Sequence, residues 1–260
     1  MLPTVDFFGH QVTRLILGAN PFGGYSHQTP ERNEEMRSWH TPDRIVETWK
    51  RAEAAGINTI ITNNESPNVM EALDTYFSSG GTLQWIAQVS PSQKPSMEAA
   101  LDDAAAMGAK AMYTHGAYTD RLYKERDADQ LKSWMECIRS HGIPGGVAGH
   151  HPEVHDWAYG LGFTDFHAVC FFQCGSVHEG RGLKFKLGDA PQAAACTQRI
   201  EKPCIAYKIM GSGRIDAEMG FDYALENIKP TDVMNVGMHR GDKDDMVEEN
   251  VAIVKRLLGC

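Results

Sequence analysis

The sequence predicts a single-domain α/β protein, a (β/α)8 barrel (TIM barrel) that begins with a short β-hairpin. Short apolar segments alternate with amphipathic segments along the whole chain, which is the pattern of parallel strands covered by helices. Most of the apolar segments end at polar residues, as expected for a barrel whose active site lies at one rim. The length of 260 residues matches the typical ~250 residues of one such barrel. We therefore assign residues 1–260 to one domain.

The barrel strands are predicted where short apolar runs stop at polar residues or glycine. They are expected at residues 14–19, 57–62, 83–89, 109–114, 143–149, 165–172, 204–209 and 232–236. The fifth run is the most informative, because the small residues Gly-Gly-Val-Ala-Gly end directly at His150 and His151. A turn at Gly9 predicts a hairpin over residues 5–13 that closes the bottom of the barrel.

The helices are predicted from capping signals and amphipathic spacing. Thr41, followed by Pro42, begins a helix that Gly56 ends, and Ser96 begins another that runs to residue 107. The other helices are expected at residues 68–77, 129–140, 152–161, 191–200, 216–227 and 243–258. Two polar segments, 28–40 and 173–188, are predicted to lie over the site as lid-like loops, because long loops in compact domains are often functional.

Composition narrows the classes of partner. The formal net charge of −9 argues against a general nucleic-acid-binding protein. No apolar run reaches the ~18 residues of a membrane span, and the N-terminus lacks the features of a signal peptide. Six cysteines without a CxxC pair predict a reduced, cytoplasmic protein. The sequence leaves open whether the chain forms a homo-oligomer.

Both ends of the chain resemble the aldo-keto reductase family. The N-terminal segment is Arg-Leu-Ile-Leu-Gly-Ala-Asn-Pro-Phe-Gly-Gly (14–24), and the C-terminal segments are Val-Gly-Met-His-Arg (236–240) and Met-Val-Glu-Glu-Asn-Val (246–251). The resemblance implies a barrel whose reductases use a Tyr acid, an Asp, a Lys and a His. His115 matches the family His, but Thr62-Asn-Asn-Glu-Ser stands where Asp and Tyr are expected, and Gln88 stands in place of Lys. The chain therefore resembles a barrel of this type without its hydride chemistry, and we expect no nicotinamide cofactor.

Three groups at predicted strand ends could carry chemistry. His115, His150 and Glu65 are expected to converge at the rim, where imidazole and carboxylate could hold Zn²⁺, Mn²⁺ or a similar divalent ion. At most one of the adjacent His150 and His151 should face the site while the strand continues. Alternatively, these side chains only hydrogen-bond a ligand or water.

Lys208, at the end of the seventh predicted strand, could polarise a carbonyl, act as a base or form a Schiff base. An ion pair with Glu65 is the alternative. Arg214 follows in Gly-Ser-Gly-Arg (211–214), and loops after the seventh and eighth strands often form the phosphate site of a barrel. We therefore assign Arg214 to substrate binding, although a plain tight turn would look the same.

Neutral amides and histidines at the strand ends suit a small polyhydroxylated substrate, because amides both donate and accept hydrogen bonds. The candidate substrate-binding residues are Asn20, His27, Asn63, Asn64, Gln88, His151, Gln173 and Arg214.

Three function classes follow. The first is a cofactor-independent enzyme, with or without a divalent metal, that abstracts a proton next to the carbonyl of a carbohydrate or keto-sugar. Such an enzyme would be an isomerase, an epimerase or a β-eliminating lyase, with Lys208, Glu65 and His115 as catalytic residues. The second is an NADPH-dependent reductase, and the third is a non-catalytic sugar-binding barrel.

Overall fold

The computed structural model describes residues 1–174 and 185–260 of the chain. Eight parallel strands close into a barrel and a two-stranded antiparallel hairpin precedes them, which confirms the predicted fold class. The hairpin consists of β1 (Thr4–Phe7) and β2 (His10–Thr13). The barrel strands are β3 (Leu15–Gly18), β4 (Thr59–Asn63), β5 (Gln84–Val89), β6 (Ala111–Thr114), β7 (Gly145–Gly149), β8 (Phe166–Cys170), β9 (Cys204–Tyr207) and β10 (Val233–Gly237). β10 pairs with β3 and closes the barrel.

The described residues form ten helices, most of which follow a barrel strand. They are α1 (Pro30–Trp39), α2 (Pro42–Ala55), α3 (Pro67–Ser78), α4 (Met97–Ala106), α5 (Gly116–Glu125), α6 (Ala128–Ser140), α7 (Pro152–Leu161), α8 (Asp189–Arg199), α9 (Ala217–Asn227) and α10 (Met246–Leu257). The predicted caps are confirmed, since the side chains of Thr41 and Ser96 accept backbone N–H groups and Gly56 ends α2 at φ 102°. None of these helices is long and apolar enough to cross a membrane.

Two helices were missed by the sequence reasoning. Segment 28–40, expected as a polar loop, contains α1, in which only Met36 is buried; a helix that is polar on nearly every side carries no amphipathic signal. The segment after β6, where no helix was predicted, forms α5, whose N-cap is His115. Histidine is not among the residues that usually mark an N-cap. α5 proves central to the candidate site.

The barrel has an inner and an outer apolar layer, as the alternation of side chains along a strand requires. On β3, Leu15 and Leu17 belong to the outer cluster with the helices, whereas Ile16 belongs to a second cluster. That second cluster fills the inside of the barrel and comprises Phe7, Val12, Ile16, Ile61, Ile86, Ala111, Tyr113, Ala148, Phe166, Ala168, Ile205 and Val233. The barrel interior is therefore a packed core, and a ligand can enter only at its rim.

Phe7 of the hairpin packs into the barrel interior. Phe7 is 1% exposed, and its ring centroid lies 5.0 Å from that of Phe166 in an edge-to-face arrangement. Phe166 in turn needs Gly146 on the neighbouring strand, because a Cβ atom at Gly146 would lie 2.6 Å from the Phe166 ring. The glycine-rich sequence of β7 thus makes room for the aromatic side chain from β8.

We expect Phe7→Ala to lower the free energy of unfolding by about 3–5 kcal/mol, the usual cost of truncating a buried phenylalanine. Phe8→Ala is the matched control, because Phe8 is 42% exposed, and it should cost no more than about 1 kcal/mol. Urea unfolding of both variants gives the measurement. Equal losses would contradict the role of the hairpin as a plug of the barrel.

Candidate functional site

The C-terminal ends of the barrel strands open into two neighbouring cavities. The rim cavity has a volume of about 230 Å³ and is lined by Asn20, Tyr25, His27, Glu65, Gln88, His115, Gly116, His150, Tyr207 and Lys208. The side cavity, about 290 Å³, shares several of these residues and extends along the ends of β3, β9 and β10 towards α1 and α10. Both lie where active sites of (β/α)8 barrels form.

His150 is held by a carboxylate that the sequence reasoning missed. Asp120 of α5 accepts hydrogen bonds from the His150 backbone N–H, at 3.2 Å, and from Nδ1 of its ring, at 2.6 Å. Burial would raise the pKa of Asp120, but the bonds and charge of His150 outweigh it and hold that pKa below the ordinary value. An ionised Asp120 keeps the imidazole proton on Nδ1, so Nε2 of the neutral ring is unprotonated and can accept a proton.

The backbone around His150 is built to seat its ring. A Cβ atom at Gly116 would lie 2.9 Å from Cε1 of His150, so only glycine lets the ring approach the first turn of α5. On the other side, the carbonyl of Gly149 accepts hydrogen bonds from the Tyr207 hydroxyl, at 3.2 Å, and from Nε2 of His155, at 3.3 Å. These contacts fix both the end of β7 and the direction of the imidazole.

Glu65 lies in the rim cavity between two hydroxyl donors. Tyr25 donates to Oε1 at 3.3 Å and Ser90 donates to Oε2 at 2.8 Å. Burial, and then the charge of Glu65, raise the pKa of Tyr25, so its phenol stays protonated. Asn63 supports this arrangement, because its Oδ1 accepts the backbone N–H groups of Glu65 and Ser66 at 3.0 and 2.9 Å.

His115 and Lys208 also line the rim cavity. His115 caps α5, and its Nδ1 accepts the Ala117 N–H at 3.2 Å, which places the proton of a neutral ring on Nε2. His115 can therefore donate a proton from Nε2. Lys208 adopts the left-handed conformation at φ 57°, which is uncommon for a residue other than glycine and tends to occur at functional sites.

The structure does not assemble the predicted metal site. Among residues 1–174 and 185–260, the one group whose ligand atoms lie close enough for an ion is elsewhere on the molecule. Other partners orient the three side chains instead: Asp120 holds Nδ1 of His150, the Ala117 N–H is bonded to Nδ1 of His115, and two hydroxyls hold Glu65.

The predicted substrate-binding residues differ in their position relative to the two cavities. Asn20, His27 and Gln88 line the rim cavity, and Gln88 Oε1 accepts a hydrogen bond from Tyr113 at 3.3 Å. Asn63 lines only the side cavity. Asn64 lines neither, because its amide bonds to the backbone N–H and carbonyl of Ser90, at 2.9 Å each.

The remaining predicted residues lie beside the cavities and not in their linings. The side-chain amide of Gln173 donates to Nδ1 of His151 at 2.8 Å. Arg214 donates to the carbonyls of Gly211 and His27 at 2.9 and 3.0 Å, so its guanidinium joins two rim loops. The proposed closing loop, 173–188, falls largely on residues 175–184, which lie outside the described residues.

The side cavity carries charges of both signs. Arg32 of α1 pairs with Asp242, and Lys243 pairs with Glu249 at 2.6 Å. The wall of the side cavity also includes His239, and Nε2 of His239 donates a hydrogen bond to Glu35 at 3.0 Å. The carboxylates of Asp242 and Glu249 in the lining disfavour an unshielded phosphate there. The full extent of this cavity could not be predicted from the sequence, since its walls come from many segments between residues 18 and 250.

A buried histidine pair beneath His150 should make the fold sensitive to acid. Burial lowers the pKa of His155 to about 4 and also lowers the pKa of His167. The Nδ1 atoms of the two rings are 3.2 Å apart. An unfolded histidine titrates near 6.5, so the unfolded chain binds more protons, and stability is lost as the pH falls from about 6.5 towards 4.

We expect His155→Gln to reduce the free energy of unfolding that is lost between pH 7 and pH 4.5 by about 2 kcal/mol, since one pKa unit corresponds to ~1.4 kcal/mol. Urea unfolding at pH 4.5 and pH 7 checks this; an unchanged slope would contradict it.

Comparisons with known proteins bear on the fold. No protein-family model and no curated protein matches the sequence. A solved structure from Pseudomonas aeruginosa, assigned by its description to the aldo-keto reductases, shares 16% sequence identity at a TM-score of 0.66, covering 98% of this chain and 94% of its own. A truncated 3-deoxy-D-arabino-heptulosonate 7-phosphate synthase from Thermotoga maritima shares 11% identity at a TM-score of 0.58, covering 99% and 93%. The chain therefore shares the (β/α)8-barrel fold of these structures.

Proposed function

We propose that the protein is an enzyme that abstracts a proton next to the carbonyl of a polyhydroxylated substrate, as an isomerase, an epimerase or a β-eliminating lyase. One observation carries the proposal. His150, oriented by the ionised Asp120, lines the same cavity as Lys208, Glu65 and His115. An oriented base beside cationic and hydrogen-bond-donating groups is the arrangement that proton abstraction next to a carbonyl requires.

His150 is the best base of the set. Its Nδ1–H group donates a hydrogen bond to Asp120, which leaves Nε2 to take a proton from carbon, and the carboxylate stabilises the imidazolium that results. Glu65 is the second candidate for proton transfer, because Tyr25 and Ser90 donate to its carboxylate and keep it in place. With two such groups, one can remove a proton and the other return it, to a neighbouring carbon in an isomerase or to the opposite face of the same carbon in an epimerase.

The developing negative charge on the carbonyl oxygen needs a positive partner. The Lys208 ammonium can supply it as a point charge, and Nε2 of His115 can donate a hydrogen bond to the same oxygen. Asn20, His27 and Gln88 remain in the lining to hold hydroxyl groups. A carbohydrate substrate also agrees with the name of one structure of the same fold, the 3-deoxy-D-arabino-heptulosonate 7-phosphate synthase.

The exchange of substrate hydrogen with solvent tests the proposal directly. Wild-type protein, incubated with D-fructose, D-xylulose or a 3-keto-glucoside in D₂O, should place deuterium on the carbon next to a carbonyl, as followed by NMR. His150→Gln and Lys208→Met should each slow the exchange by about 100- to 10,000-fold, the usual effect of losing a positioned catalytic group. Chelators should leave the rate unchanged, because the rim residues do not form a metal ligand set.

Asp120→Asn gives a sharper form of the same test. Both oxygens of Asp120 accept hydrogen bonds from His150, and asparagine has only one oxygen. If its NH₂ group faces the ring, it donates to Nδ1, so the imidazole proton moves to Nε2 and the base is lost; if it faces the backbone N–H, two donors oppose each other and the ring is displaced. We expect a loss of about 100-fold or more. His10→Gln and Lys110→Met, both remote from the rim, are the controls. Equal rates in all variants would place the chemistry elsewhere.

A reductase that uses NADPH is the second candidate, and two observations favour it. The Tyr25 phenol lies in both cavities, where it could serve as a proton donor in place of the missing family Tyr. The side cavity also adjoins the loops after β9 and β10, where (β/α)8 barrels often bind phosphate groups. Against it stand the carboxylates in the side cavity and the engaged guanidinium of Arg214.

Titration with NADPH separates the two functions. We expect no saturable change in NADPH fluorescence up to millimolar concentration, because Arg32 in the side cavity is paired with Asp242 and the carboxylates of Asp242 and Glu249 in the lining repel phosphate groups. We also expect no NADPH oxidation in the presence of a keto-sugar. Saturable binding, abolished together with turnover in Tyr25→Phe, would replace the proposed reaction with a reduction.

A further inference from the structure

We infer that the outer surface of the barrel carries a zinc-type metal site formed by Cys137, His141 and Asp102. Within residues 1–174 and 185–260, this is the one group of at least three metal-ligating side chains whose ligand atoms all lie within 4.8 Å of one another. It lies on α4 and α6 and none of its members lines either cavity. The site is therefore separate from the proposed reaction.

The helix geometry brings the three ligands together. Cys137 lies in the last turn of α6, and His141 follows four residues later as its C-cap, so both side chains project from the same face. Asp102 comes from α4. Its Oδ1 lies 3.6 Å from Cys137 Sγ and 2.8 Å from His141 Nε2.

These distances suit a tetrahedral ion. Ligands at ~2.0–2.3 Å from Zn²⁺ are roughly 3.3–3.7 Å apart in a tetrahedral shell. The sulfur–oxygen distance already falls in that range, while the His141–Asp102 pair must open by about half an ångström. Both side chains are partly exposed, at 33% and 61%, so they can make this small adjustment. Water would complete the shell.

The chemistry of the ligands selects a borderline-soft ion. A thiolate, an imidazole and a carboxylate suit Zn²⁺ and disfavour Ca²⁺ and Mg²⁺, which prefer oxygen ligands alone. The local charge also favours a cation, because Glu98 on α4 lies near Cys137 in addition to Asp102. Burial, followed by these carboxylates, raises the pKa of Cys137 to about 11. The thiol is thus protonated without metal, and binding Zn²⁺ would release that proton.

Titration of the full-length protein with Co²⁺ alone tests the site, because cobalt reports sulfur ligation through a thiolate-to-metal charge-transfer band. We expect one equivalent of Co²⁺ to produce the band and Zn²⁺ to displace it. Cys137→Ser should abolish the band, and His141→Gln and Asp102→Asn should each weaken binding at least tenfold. Cys260→Ser is the matched control, since Cys260 is an exposed free thiol, and it should bind like the wild type.

A second readout is thermal. Zn²⁺ should raise the Tm of the wild type and of Cys260→Ser, because a ligand that binds only the folded state stabilises it. It should not raise the Tm of Cys137→Ser. The absence of a charge-transfer band, its survival in Cys137→Ser or its loss in Cys260→Ser would each overturn the inference. Should Cys137→Ser fail to fold, His141→Gln and Asp102→Asn decide the matter alone.

Discussion

The candidate site depends on one interaction, the bidentate contact of Asp120 with the backbone and the ring of His150. A single carboxylate on α5 accepts both N–H groups of the residue that follows β7, so it joins a helix to a strand end and sets the imidazole tautomer at once. The pair is shielded from water, since each side chain is 13% exposed, which strengthens the contact. Gly116 leaves room for the His150 ring. The carbonyl of Gly149 accepts hydrogen bonds from both His155 and Tyr207, which holds the end of β7 in place.

Most of the fold could be predicted from the sequence, because its signals are local. Strand runs that stop at polar residues, Thr41 and Ser96 as N-caps, and Gly56 as a helix end depend only on neighbouring residues, and the structure confirms them. The two missed helices show the limit of such signals. α1 is polar on nearly every face, and α5 begins at a histidine, so neither shows the pattern that predicts a helix.

The site could be predicted only in part, because its decisive contacts join distant segments. The strand ends led to four candidate rim residues, His115, His150, Glu65 and Lys208, and all four line one cavity. The partners of these side chains could not be predicted, since Asp120 lies in a segment for which no element was predicted. A residue type at a strand end also does not reveal which of its atoms are occupied. The three predicted metal ligands, His115, His150 and Glu65, are therefore found hydrogen-bonded to protein groups.

The protonation of the His150 ring tests the central claim most directly and requires no substrate. Two-bond ¹H–¹⁵N spectra of protein labelled at histidine nitrogens distinguish the two neutral tautomers, and His150→Gln assigns the signal. The account predicts, near neutral pH, a His150 ring that carries hydrogen on Nδ1, with a strongly downfield Nδ1 proton that is lost in Asp120→Asn. A His150 ring protonated only on Nε2 in the wild type would contradict the account, because such a ring cannot act as the base in the rim cavity.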